Sequence, residues 1–362
     1  MKLVSPLLKH FVYPGLSKAG YLRRAEARAP TVLTYHGVLP AGYKIVDPDL
    51  DGNLVTSDSF RQQLRFVKDR YNVISPEEFF RWLKAEHELP PRCLLLTCDD
   101  GLRNSLVEMV PVLQEFGLKC LFFVTGASLR DAPTMLWYEE LYLMFLAAND
   151  NFTLELSEIG VQVSAGKPDK RSLWSELVRK FSQYDFNRRR VILDRIEMQL
   201  GLSEQWDRKY HEDPGLSSRF LVLDRSELQD LSEAGMGIGA HTLSHPVLSQ
   251  SSSDVAWHEI SESKTRLEQA LGREMWAMAY PFGDSSSVTS RELQMSERAG
   301  FKCAFLNVAG EFTTQTPKFS LPRVHITAEM NLAQFEAHVS GFHRTLQGLF
   351  RASHSTPAGA NA

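Results

Sequence analysis

Short apolar runs alternate with stretches of helical periodicity along most of the chain. The pattern predicts strands at Thr31–Tyr35, Asn72–Ile74, Cys93–Thr97, Lys119–Val124, Met236–Ala240, Trp276–Tyr280, Lys302–Leu306 and Leu321–Ile326. The helices between them carry readable ends. Ser75 precedes Pro76 and has Glu78 three positions on, a capping-box arrangement; Asp224 stands in the same relation to Glu227. Leu106, Val110, Leu113 and Phe116 mark one face of a helix that Gly117 closes, and Gly235 closes the helix after Asp224. Strands alternating with helices imply parallel pairing through crossovers. About eight such strands suit a β/α barrel better than an open sheet.

The rhythm breaks between about residues 131 and 220, a helical stretch with Trp137, Tyr138, Trp174, Trp206 and the basic run Arg188-Arg189-Arg190. It is expected to be an insertion between two strands. Its aromatic residues either pack over one end of the barrel, the commoner fate, or form a sugar-stacking wall. The expected organisation is an N-terminal segment over 1–30, one barrel domain over 31–345, and a disordered Ser/Ala/Gly/Pro-rich tail over 346–362.

The chain has 362 residues, 43% hydrophobic content and a net charge of -4, which suits a globular protein with a sizeable core and gives no global electrostatic case for nucleic acid. No G-x-G-x-x-G or phosphate-binding loop follows a strand, so dinucleotide and nucleotide readings have no support. Cys93, Cys98, Cys120 and Cys303 are scattered without a C-x-x-C pair and read as reduced thiols, pointing to the cytoplasm. Residues 1–30 hold Lys2, Lys9, Lys18, Arg23, Arg24 and Arg28 against Glu26 alone, with Leu3, Leu7 and Phe11 on one helical face. Such a segment either docks on the domain, the more common arrangement, or rests on an anionic membrane, here its inner face.

The candidate chemistry lies at predicted strand ends, where a β/α barrel places its active site. Asp99-Asp100-Gly101 follows one strand, and His241 with His245 follows another at i, i+4. One carboxylate and two imidazoles make a three-ligand metal set with an open position for water, and the second carboxylate is left to act as a base. Thr242 follows His241, so the helical H-E-x-x-H arrangement with its own base is excluded. His36, His325 and Pro281-Phe282-Gly283 also fall at strand ends. Singly, an Asp-Asp-Gly is a turn and an H-x-x-x-H a coincidence; together, at the ends of separate strands, they form a site.

Thr97-Cys98-Asp99-Asp100-Gly101 resembles the T-F-D-D-G motif of the polysaccharide deacetylase family, also called NodB-homology or carbohydrate esterase family 4. His241-Thr242-Leu243-Ser244-His245 is similar to its second motif, and Ala279-Tyr280-Pro281-Phe282-Gly283 to its third, R-P-P-Y-G. The resemblance, closest to exopolysaccharide deacetylases, implies a distorted (β/α) barrel that removes acetyl groups from N-acetylated sugars. It assigns Asp99 as general base and Asp100, His241 and His245 as ligands of one divalent ion, Zn²⁺ being the expected one. It makes Tyr280, Pro281 and Phe282 the oxyanion and substrate-binding segment. Cys98 replaces the usual Phe, and Ala279 stands where many members carry an arginine that orients the base. Arg323 occupies the leucine position of the family's last motif, with His325 after it; His325 is placed ahead of His36 as general acid. The competing expectations are a non-catalytic sugar-binding or scaffolding domain and an O-acetyl esterase.

Overall fold

The computed structural model describes residues 7–22, 30–163, 166, 168–310, 312–313 and 315–346. The expected tail over 346–362 therefore falls outside the described residues except for Leu346, as do residues 1–6 and 23–29 of the N-terminal segment. Eight strands form one sheet: β1 (Thr31–Tyr35), β2 (Asn72–Ile74), β3 (Cys93–Cys98), β4 (Leu121–Val124), β5 (Gly237–Ala240), β6 (Ala277–Ala279), β7 (Cys303–Phe305) and β8 (Val324–His325). All eight strand expectations are met, with ends shifted by a few residues. Pairing is parallel throughout, in the order β7-β6-β5-β4-β3-β1-β8. β2 and β4 share one edge of β3, β2 pairing with Cys93–Leu95 and β4 with Thr97 and Cys98. Beyond β7 a parallel bridge joins Phe305 to Leu321, the start of the segment that runs into β8. The sheet thus curls into a distorted (β/α) barrel whose last strand is short.

Strand parity fixes the two faces. Leu33, Tyr35, Leu94, Leu96, Cys98, Phe122, Val124, Ile238, Ala240, Met278 and Tyr280 pack outward against the surrounding helices. Val32, Leu95, Leu121, Phe123, Ala277, Ala279, Cys303, Phe305 and Leu321 fill the interior. Gly239 makes room for Phe123 there, since a Cβ would stand 2.6 Å from its ring. The expected capping boxes at Ser75 and Asp224 are both present, and Gly117 ends its helix in the left-handed region at φ 65°.

Residues between β4 and β5 form helices including Trp137–Ala147, Lys170–Phe181 and Phe186–Gln199, and an antiparallel strand pair, Leu154–Leu156 with Val161–Val163, that the helical pattern did not foretell. They bury an apolar cluster of their own, with Leu141, Phe145, Leu177, Phe181, Leu193 and Ile196 fully covered.

Candidate active site

The carboxyl ends of β1, β3, β5, β6 and β8 deliver His36, Asp99, Asp100, His241, Phe282 and His325 to one rim of the barrel. Asp100 Oδ1 lies 3.4 Å from His241 Nε2 and 3.2 Å from His245 Nε2. Metal–ligand bonds of about 2.0–2.1 Å in a tetrahedron place ligand atoms about 3.3 Å apart, so these separations suit a small divalent ion. His241 Nδ1 lies 2.8 Å from the Ala279 carbonyl, an acceptor that keeps its proton there and turns a bare Nε2 to the site. All three residues are buried, and among the described residues they alone form a metal-type cluster. The donor set, two imidazoles and one carboxylate, fits Zn²⁺ chemistry.

The backbone is bent hard to do this. Asp100, Thr242, His245 and Phe282 all adopt positive φ, at 76°, 63°, 55° and 60°, a region that non-glycine residues seldom enter. Gly101 follows at φ 71°, and a Cβ on it would meet Val124 at 3.1 Å. Gly283 is held as tightly, because a Cβ there would lie 2.5 Å from the Asn307 nitrogen. Positive φ at Phe282 leaves its N–H without an acceptor among the described residues, while its ring stands edge-on to His245 at 4.9 Å.

Asp99 is only 2% exposed, and its partner is Arg323. The guanidinium donates to both carboxylate oxygens, at 2.7 and 2.6 Å. It also donates to Thr97 Oγ1 at 3.2 Å and to the Leu306 carbonyl at 2.9 Å. The arginine is itself buried inside the barrel, over the rings of Phe123 and Phe305. Burial, the largest single influence, would raise the pKa of Asp99; the charge and hydrogen bonds of Arg323, with His241 and His36 nearby, together outweigh it and hold the carboxyl below its ordinary value. Arg323, the residue before β8, thus makes the contact with Asp99 that Ala279 cannot. Sequence reasoning placed Arg323 only as a departure in the last motif. The signal was parity: Arg323 shares the inward face with His325, as Asp99 does with Thr97.

Burial also pushes Asp100 up, but hydrogen bonds from His241 and His245 bring it well below the carboxylate range. On His245 burial prevails and lowers the pKa, which favours the neutral imidazole; on His241 burial also lowers it, but the bond to Asp100, the charges of Asp99 and Asp100 and the Ala279 carbonyl together raise it. His36 and His325 pack ring to ring at 4.8 Å. Burial, then the neighbouring His36, depresses His325 to about 3. His325 is therefore neutral near neutrality.

Not every expected residue reaches the site. Tyr280 is fully buried on the outer face of the sheet, its hydroxyl donating to the Phe319 carbonyl at 3.0 Å. Its side chain is a packing element, because β6 parity sends Met278 and Tyr280 away from the interior that holds Ala277 and Ala279. Pro281 is buried in the turn, which leaves Phe282 as the member of that segment facing the metal ligands. Cys98 is 0% exposed, and burial raises its thiol pKa well above normal, so it packs as a small apolar group and offers no reactive thiolate.

The aromatic and basic residues of the β4–β5 stretch brace the second motif. Trp137 Nε1 donates to the Ser244 carbonyl at 2.8 Å, and the Tyr138 ring lies 4.8 Å from that of His245. Arg189, from what looked like a solvated basic run, is 1% exposed. It donates to the Ser244 carbonyl at 3.0 Å and to the Ser244 hydroxyl at 2.5 Å, and pairs with buried Glu259 at 3.3 Å. Glu259 accepts from the Ser244 N–H at 2.8 Å. Arg189→Met strands the Glu259 charge, an expected cost of about 3–5 kcal/mol. Loosening the loop that carries His245 is expected to weaken metal affinity by roughly 10- to 100-fold. Thermal melts and a metal titration on the purified variant check both.

The polysaccharide deacetylase family model matches residues 202–304, which hold the second and third motifs. Over that stretch, less than a third of its length, the chain is similar to that family. Asp99, Asp100, Arg323 and the pair His36–His325 lie outside the matched stretch and join it through the geometry above. Among solved structures, the chain is similar to the Streptococcus pyogenes deacetylase PplD in complex with acetate, at 20% identity and a TM-score of 0.54, covering 86% of this chain and 99% of that one. It is similar to IcaB from Ammonifex degensii, at 16% identity and a TM-score of 0.53, covering 87% and 98%. A third is the polysaccharide deacetylase BC0361 from Bacillus cereus, at 17% identity and a TM-score of 0.52, covering 86% and 69%. The fold is the one these deacetylases share.

Proposed function

We propose that this protein is a metal-dependent hydrolase that removes acetyl groups from N-acetylated sugars. The substrate class is N-acetylglucosamine units of a polysaccharide, an oligosaccharide or a lipid-linked glycan. The observation that carries the reading is the convergence of Asp100, His241 and His245 beside an Asp99 locked to Arg323. PplD, with the same fold, holds acetate, the product expected here.

Asp100, His241 and His245 would hold the ion, which supplies Lewis acidity to an acetamide carbonyl and lowers the pKa of water towards about 7. Asp99, kept ionised by Arg323, accepts the proton of the attacking water. The carbonyl carbon becomes tetrahedral, and the Phe282 N–H donates to its oxyanion; such a donor contributes about 100- to 1000-fold in rate. Departure of the sugar nitrogen requires a proton, since an amide anion leaves poorly. Although His325 was the expected acid, burial holds it neutral, so in this reading His36, packed against it at 4.8 Å, delivers the proton. The C–N bond breaks, giving acetate and a free amino sugar.

The test is zinc-loaded protein with N-acetylglucosamine oligomers, scored for acetate and primary amine. Equal release of both is the expected result. Acetate from O-acetylated xylan alone would make the protein an esterase. Release from neither substrate class, with metal bound, would reduce it to a sugar-binding domain.

A further inference from the structure

Six basic residues and one acid give residues 1–30 a charge of +5 within a chain of net charge -4, so the remaining residues carry -9. The described part of this segment is a helix, Leu8–Val12 continuing into Tyr13–Lys18. Its inner side is satisfied. Tyr13 is 1% exposed and packs with Ala337 of the helix Leu332–Val339, with Leu8 and Leu16 beside it. Ser17 donates to Glu336, and Asn331 Nδ2 donates to the Lys9 carbonyl at 3.2 Å. Docking on the domain, one of the two arrangements open to this segment, is what these residues do.

Docking leaves a second face uncovered. Leu7 is 57% exposed and Phe11 72%, one helical turn apart. Leu332, 42% exposed, adds an apolar residue from the helix Leu332–Val339 beside the Asn331–Lys9 contact, and Tyr21 is 56% exposed. His10 and Lys18 are exposed around it. Lys9, on the same helix, pairs with the exposed Glu329 at 3.6 Å. Exposed apolar side chains on a short helix within a segment of net charge +5 are the composition of an interfacial membrane contact. The patch also has a defined position. Leu332 follows the short loop 326–331 that leaves His325, so this end of the patch is tied to the strand end that carries a residue of the site.

We infer that the face formed by Leu7, Phe11 and Leu332 docks on an anionic lipid surface and holds the mouth of the site beside it. A second copy of the chain is the poorer occupant, because it would oppose two segments of charge +5. An anionic bilayer attracts the same charges, each basic residue near it strengthening binding by roughly fivefold.

The test is co-sedimentation of the full chain with phosphatidylcholine vesicles made with and without phosphatidylglycerol. Metal and activity play no part in it, so its outcome is separate from that of the catalytic reading. The expected result is binding to the anionic vesicles that weakens with salt and falls about tenfold or more in the double variant Leu7→Ser, Phe11→Ser at unchanged melting temperature. Absence of binding to anionic vesicles, or undiminished binding by the variant, would overturn the inference. So would a wild-type dimer in sedimentation that the variant disperses.

Discussion

Asp99→Asn is expected to lower kcat by about 100- to 10,000-fold, the range for loss of a positioned general base, while one metal ion per chain is retained. The reason is the division of labour between neighbouring carboxylates. Asp100 points at His241 and His245, whereas both oxygens of Asp99 are engaged by Arg323. The amide is nearly isosteric but cannot take a proton from water. Deacetylation rates and metal content of the same preparation check the pair of outcomes. Metal loss together with activity would mean that Asp99 is a ligand after all.

Arg323→Met is expected to be as damaging by another route. It leaves a buried carboxylate without its partner, at a cost of about 3–5 kcal/mol. The Asp99 pKa, now held down chiefly by Arg323 against burial, rises in the variant. The base is then protonated at higher pH, so the acidic limb of the kcat/KM profile moves upward. Stability carries the same sign. A carboxyl with a depressed folded pKa contributes stability that is present above its unfolded value and is lost as pH falls through the folded one. That acid-linked contribution is expected in the wild type and absent from Arg323→Met. Arg323→Lys keeps the charge but cannot form the two-pronged contact, and is expected to restore the pH limb in part. An unshifted profile with full stability would remove Arg323 from its positioning role.

Much of this was legible before any coordinates because the barrel strands are buried on both faces and stand out as apolar runs between capped helices. The polar residues that interrupt those runs at their carboxyl ends marked the rim. What could not be read was which charge meets which. Arg323 and Asp99 are separated by more than half the chain, and no local pattern says that an arginine in Leu-Pro-Arg-Val-His turns into the barrel. Arg189 was hidden for the opposite reason. A triple arginine run suggests solvent, and only the packing of Ser244 and Glu259 against it shows that the middle member is buried. Tyr280 was overestimated because motif proximity was followed where strand parity should have been. The positive φ at Thr242 and His245 is a tertiary constraint, and neither residue type announces it.

Equilibrium dialysis against Zn²⁺ tests the central arrangement most directly. The account predicts one tightly held equivalent per chain in the wild type, the same in Asp99→Asn, and none in His241→Ala. A wild-type protein that binds no zinc, or a His241→Ala variant that binds it undiminished, would contradict the account.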